Sequence, residues 1–225
     1  MGFVIDKQGE YLPVFGEYNG GSIKEGYIAP DTTLTVKTDG TGDFTSLNDA
    51  ISYLTGKWST GTVTISIAAG TYTTASKIDI AGTSFNIPRL IISGASADTT
   101  IISCTTAQSS GIIRVLNTWN DIRINKITIQ GAGKTASGGI GIVAQNNSLP
   151  VYTEQAKIKD VETGYKMRQT GVSKILNFAF DNCGTAINVE SGSTTLVINP
   201  SYTDVTTQLN QTKNTLTYNG IIYCE

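Results

Sequence analysis

The side chains that could do chemistry in this sequence are acids with no base beside them. Asp160 and Glu162 stand close together in the chain, and Asp160 and Asp204 form a wider pair with Asn182 midway between them. A glycosidase needs two carboxyl groups facing one bond, roughly 5–9.5 Å apart. Either pair is a candidate. The competing account is that these are exposed acids on a folded surface, with the Asn182 amide relieving their repulsion. There is no histidine, which removes His-based zinc sites, imidazole general bases and Ser-His-Asp or Cys-His nucleophile systems. Cys104, Cys183 and Cys224 are odd in number and far apart. They show neither Cys-x-x-Cys spacing nor a disulfide framework, which fits a reducing compartment. No metal site and no cofactor is expected. The Gly-rich stretch 131–141 lacks Gly-Lys-Ser/Thr and leads into no helical pattern, so it is not a phosphate loop. Two tryptophans could stack on a sugar ring. Trp119 lies in the turn Asn117-Thr118-Trp119-Asn120-Asp121 and, with Asn120, is the candidate glycan-binding pair; Trp58 follows a helical segment and reads as packing.

The elements that must position these residues are short strands. Charged residues make up 15% of the 225 residues while Gly, Thr, Ser and Asn are plentiful, a bias toward β-structure with many turns. The chain resembles itself at a period of about 22 residues, within the range of stacked repeats. Val161, Cys183 and Val205 recur at this step, as do Asp160, Asn182 and Asp204, then Ile158, Phe180 and Tyr202, then Tyr165, Ile187 and Leu209. Ile175-Leu176-Asn177 matches Val197-Ile198-Asn199 at the same step, and 195–202 recurs loosely at 215–223, an offset of 20. A repeat this short cannot bury an apolar face alone and must stack. With one coil per repeat, equivalent residues lie ~4.8 Å apart as parallel neighbours. Val161, Cys183 and Val205 then form an interior column, Asn177 and Asn199 form a ladder at a bend, and Asp160 and Asp204 sit two coils apart, ~9.6 Å. About three coils fall in 158–223 and four more in the less regular 62–157.

Strands are expected at 62–67, 77–80, 89–93, 100–103, 112–116, 122–130, 140–143, 175–180 and 195–198. The run Ile122, Ile124, Ile127, Ile129 alternates with one slip. One helix is expected over 46–54, where Leu47, Ala50, Ile51 and Leu54 form a stripe and Ser46 with Asp49 resembles a capping box. It would cover the open end of the stack. Residues 1–33 read as an extended or hairpin-like arm whose aromatics, Phe3, Tyr11, Phe15 and Tyr18, attach it to a partner; residues 34–225 form the body. Formal net charge is −2 with scattered Lys and Arg, so nucleic acid is not an expected partner. No secretory leader and no membrane-spanning run is visible.

The stretch Val36-Lys37-Thr38-Asp39-Gly40-Thr41-Gly42-Asp43-Phe44-Thr45-Ser46-Leu47, with Ala50-Ile51, resembles the opening of pectin methylesterases. Ala69-Gly70-Thr71-Tyr72 is similar to the turn after their first strand. Both motifs also resemble bacteriophage tail proteins built on a pectin-lyase-like β-helix. The fold this implies is all-β, a single-stranded right-handed parallel β-helix with an N-terminal capping helix and arm. The esterases' active site uses paired glutamines, two aspartates and an arginine. The nearest stretch here, Leu176-Asn177-Phe178-Ala179-Phe180-Asp181, lacks the aspartate in place, and their Arg-Pro-Trp segment has no counterpart. Polygalacturonases need a histidine, and pectate lyases a calcium-binding acid cluster with an arginine. The resemblance therefore implies a non-enzymatic virion component, a tail fibre or tail spike. Its expected partners are itself in a homotrimer, other tail proteins through the arm, and host surface polysaccharide. The alternative is a carbohydrate-active lyase, hydrolase or esterase on the same scaffold.

Overall fold

The computed structural model describes residues 2–5, 11–14, 26–169, 172–190, 193–211 and 222–223. Runs of Ile, Val and Thr bounded by polar turns pair in parallel, coil on coil, and produce a three-faced β-helix. The first face is an eight-stranded sheet of Thr32–Val36, Thr62–Ile67, Arg89–Gly94, Asp121–Asn125, Val151–Glu154, Val172–Leu176, Thr194–Ile198 and Ile222–Tyr223. The second face takes Gly70–Thr74, Thr100–Cys104 and Thr128–Gln130; the third takes Ile78–Ala81, Ile113–Leu116 and Ile140–Gln145. The long strands Lys157–Arg168, Ala179–Val189 and Ser201–Gln211 run through both and join them into one sheet.

Alternation decides which side chains point in. On the first face Val63, Ile65, Leu90, Ile92, Ile122 and Ile124 are fully buried, while Thr62, Thr64, Arg89 and Arg123 between them are not. The register read from the repeat holds: Val161 pairs with Cys183 and Cys183 with Val205, Ile158 with Phe180 and then Tyr202, Tyr165 with Ile187 and then Leu209. Ile175 pairs with Val197. Phe178, Phe180 and Tyr202 stack inside, with ring centres 4.9 and 5.8 Å apart. The buried Tyr165 hydroxyl accepts from Ser173 Oγ at 3.1 Å, the partner that a buried phenol requires.

Corners are made by single left-handed residues. Lys126, Gln155, Asn177 and Asn199 end first-face strands; Asp160, Asn182 and Asp204 divide the second face from the third; Asn117, Asn146 and Gln169 end the third. All have φ between 47 and 57°. Asn and Asp tolerate this region better than other side-chain-bearing residues, which explains their prevalence here. The corners are tied between coils. Asn199 Nδ2 donates to Asn177 Oδ1 at 3.3 Å, and Asn182 Nδ2 to Asp160 Oδ1 at 2.7 Å. These corners also divide two runs that the sequence reading left whole. The slip between Ile124 and Ile127 is the Lys126 corner, separating Asp121–Asn125 from Thr128–Gln130, and Asn177 divides 175–180 in the same way.

The final offset of 20 is corrected to 25, since Val197 pairs with Ile222 and Ile198 with Tyr223. Backbone pairing, and not the Thr-Leu and Asn likeness, sets that register; residues 212–221 lie outside the described ones.

The helix, α1, spans Leu47–Tyr53. Ser46 Oγ accepts from the Asp49 amide at 3.1 Å and donates to Asp49 Oδ2 at 2.7 Å. Leu47, Ala50, Ile51 and Leu54 are buried, and the helix packs mainly against Ile78–Ala81 and also against Thr32–Val36. The motif before it is a brace: Asp43 Oδ2 accepts from Thr35 N and Oγ1 at 2.7 and 2.8 Å, and Asp39 Oδ1 from Thr41 N and Oγ1 at 2.9 and 2.8 Å. Those hydrogen bonds hold both carboxyls below the usual range. Gly40 supplies φ +77° for the turn. Gly2–Ile5 and Tyr11–Val14 pair antiparallel. The coils begin within the stretch assigned to the arm, because Tyr27 bridges Trp58 and Ile28 is buried.

Candidate functional site: an aromatic edge

Successive coils enter the first face along one edge of the stack. Tyr27, Trp58 and Asn86 are bridged neighbours there on three consecutive coils. On the fourth, Asn120 Nδ2 donates to the Ile87 carbonyl at 2.5 Å and Asp121 N to Pro88 O at 3.0 Å. On the fifth, Ser148 N donates to Thr118 O at 2.9 Å. Thr118 N and Oγ1 both donate to the buried Asn147 Oδ1, at 3.3 and 3.0 Å. The turn carrying Trp119 therefore rests on a fixed base. Its ring is 74% exposed.

Asn120, the expected companion of Trp119 in binding, is buried, and its amide nitrogen donates to Ile87 across coils. Trp58 is half-buried against Tyr27, ring centres 4.6 Å apart, so it both packs and lines the edge. Leu149, which follows Ser148 in the segment bonded to Thr118, is also exposed. Of the residues expected to attach the arm, Phe3 and Tyr11 lie on the paired strands Gly2–Ile5 and Tyr11–Val14; Phe15 and Tyr18 lie outside the described residues.

Beside the edge, the first face presents a ribbon that the sequence reading missed. Asp121 Oδ2 accepts from Arg89 Nε at 2.7 Å and from Arg123 Nη2 at 3.0 Å. Burial pushes the Asp121 carboxyl up, but the two arginines outweigh it and hold it below the carboxylate range. Arg123 and Lys174 bracket Tyr152, with cation-to-ring distances of 4.9 and 5.0 Å. Period-two alternation placed Asp121 and Arg123 on the outer side, but it gave no sign that Arg123 would lie over Tyr152, on the next coil.

The acid pairs have other work. Asp160 accepts from Asn182 and, at 3.0 Å, from Gln130 Nε2. Asp204 Oδ1 pairs with Lys134 Nζ at 2.9 Å, and Glu162 Oε2 accepts from the Gly138 amide. On the third face, burial raises the Asp79 carboxyl, yet bidentate Arg114 and Lys77 bring it below the ordinary value. Asp79 and Asp121, held low by their arginines, are ionised near neutrality and make poor proton donors. Among the described residues no group of three or more metal-binding side chains is assembled. The Cys183 thiol, buried in its column, is pushed up to about 12 by desolvation, which leaves it inert.

No family model and no curated protein matches the chain. Solved structures do. The catalytic domain of a GH87 alpha-1,3-glucanase in complex with nigerose superposes with a TM-score of 0.59 at 19% identity, over 80% of this chain and 31% of that one. Pectin methylesterase from carrot superposes with a TM-score of 0.52 at 13% identity, over 77% and 63%. The chain thus spans less than two thirds of either. What these likenesses establish is the architecture, a right-handed parallel β-helix.

Proposed function

We propose that this chain is a carbohydrate-binding β-helix that holds a glycan along the aromatic edge. The observation that carries the reading is where the apolar surface falls. Of the four large hydrophobic side chains exposed among the described residues, Tyr27, Trp119 and Leu149 lie on this edge, and only Tyr53 lies elsewhere. Scattered apolar residues mean little, whereas apolar surface gathered along one line marks a binding surface. Trp58 and Trp119 stand two coils apart, ~9.6 Å at the usual strand spacing. A chain of sugar rings laid along the stack meets them in turn. Asn86 and the Asp121–Arg123 ribbon beside them supply hydrogen-bonding groups. Both similar structures belong to proteins named for carbohydrate chemistry, which supports the ligand class.

That same likeness favours a second reading, an enzyme on this scaffold, and the commitments of Asp79, Asp121, Asp160, Glu162 and Asp204 weigh against it. The virion tail and the homotrimer are proposals that rest on the resemblance of the opening motif, and attachment through the arm is one that rests on the arm's aromatics.

Calorimetric titration of the chain with neutral and acidic oligosaccharides tests the reading. Trp119→Ala should weaken binding about tenfold or more, as loss of a central aromatic anchor does, with melting unchanged because the ring is exposed. Full affinity in Trp119→Ala would move the site elsewhere. Release of reducing ends or methanol from a polysaccharide by the unaltered chain would install the enzyme reading instead.

A further inference from the structure

At the corner between the second and third faces, three coils turn through one residue each, Asp160, Asn182 and Asp204. The coil before them turns through residues 131–139 instead, between Thr128–Gln130 and Ile140–Gln145. This excursion does not project. It is closed internally by Ala136 N to Gly133 O at 3.1 Å and Gly139 N to Ala136 O at 3.0 Å. It lies down along the corner: Gly133 N donates to Asp160 O at 2.8 Å, Gly138 N to Glu162, and Thr163 N back to Gly139 O at 2.9 Å. From this bed Lys134 reaches past the Asn182 coil. Its Nζ donates to both the carbonyl oxygen and Oδ1 of Asp204, each at 2.9 Å and 70 residues away in sequence.

We infer that the 131–139 loop is a strap and Lys134 its catch, holding Ser201–Gln211 onto the coils beneath. That strand needs a fastening that its predecessors do not. Along the inner columns Ile158 and Phe180, Val161 and Cys183, and Tyr165 and Ile187 are buried, but Tyr202, Val205 and Leu209 are only partly so. Among the described residues Ser201–Gln211 pairs on one side alone, with Ala179–Val189. In a stacked array each unit is held by its neighbours, so a coil with little buried surface opens first. A contact that skips a coil breaks this nearest-neighbour rule. It makes opening of 201–211 cost the Lys134 contacts as well as the ladder. Lys134 is well placed for this, since its side chain is 23% exposed and its bond to a carbonyl persists where the ion pair is screened.

Hydrogen–deuterium exchange by mass spectrometry on the full chain tests the strap. Lys134→Met keeps the aliphatic stem and removes all donors. It should speed exchange in 201–211 by about tenfold, the worth of one charged hydrogen bond and one partly exposed ion pair. Segments 62–67 and 100–104 should be unchanged, and Lys134→Arg should restore slow exchange. Unaltered exchange in 201–211 overturns the proposal. So does uniform acceleration of every segment, which would make Lys134 a support of the whole stack.

Discussion

Cys183 shows what a single position can reveal in a stacked fold. Its neighbours in the column, Val161 and Val205, stand one repeat before it and one repeat after, and that spacing alone named it an interior residue. Cys183→Asp puts a charge among apolar groups and should cost about 3–5 kcal/mol, read as a large fall in melting temperature; Cys183→Ala should cost clearly less. An unchanged melt in the aspartate variant would mean that the column is misassigned. Asn120 shows the opposite case. Its polarity and its place beside Trp119 suggested an exposed turn, but its amide is paired to Ile87, 33 residues back. That partner sits on a coil whose register step differs, so nothing local in the sequence announces it. Residues on the regular coils were therefore legible, and those on turns between irregular coils were not.

At the level of elements, the helix was legible because its signals are local. Ser46→Ala removes both the acceptor for the Asp49 amide and the partner of the Asp49 carboxylate. It should lower stability by about 0.5–2 kcal/mol in a denaturant titration, and Ser46→Thr, which keeps the hydroxyl, should recover most of it. The strands were harder. On the first face Val63, Leu90, Ile122 and Val151 stack in register although no two of the steps between them are equal. Only from Val151 to Ser173 does the spacing settle to that of the later coils. Loops of unequal length at the corners, such as 131–139, hide the period over the first half. The long second-to-third-face strands were equally hidden, since a corner of one left-handed residue leaves no Gly or Pro behind it.

For the molecule as a whole, the boundary of the arm matters most. The first coil includes Ile28, buried at 5%, and Pro30, against which Gly61 packs too closely to bear a Cβ. Removing residues 1–25 takes away none of the stacked strands and should leave the circular dichroism melt within about 2 °C, the shift of a small fraction of the folding free energy. Removing residues 1–30 deletes Ile28 and the Tyr27–Trp58 contact and should lower it by several degrees, on the order expected for losing one core side chain. Equal melts for the two truncations would show that the stack begins later than Tyr27. The architecture itself was legible from the repeat, whereas the edge as a surface was not. It is built from Tyr27, Trp58, Trp119 and Leu149, which follow the longer steps of the first coils and not the 22-residue repeat that revealed the later ones.

The single-residue corners have a consequence for growth. Among the described residues, the coils from Lys157 turn at matching positions, Asp160, Asn182 and Asp204 on one corner and Asn177 and Asn199 on another. Duplicating a segment such as 157–178 would add one rung of ~4.8 Å without disturbing the N-terminal helix, at the cost of the Lys134–Asp204 contact. Length in this molecule is a quantity that gene duplication can set in whole steps.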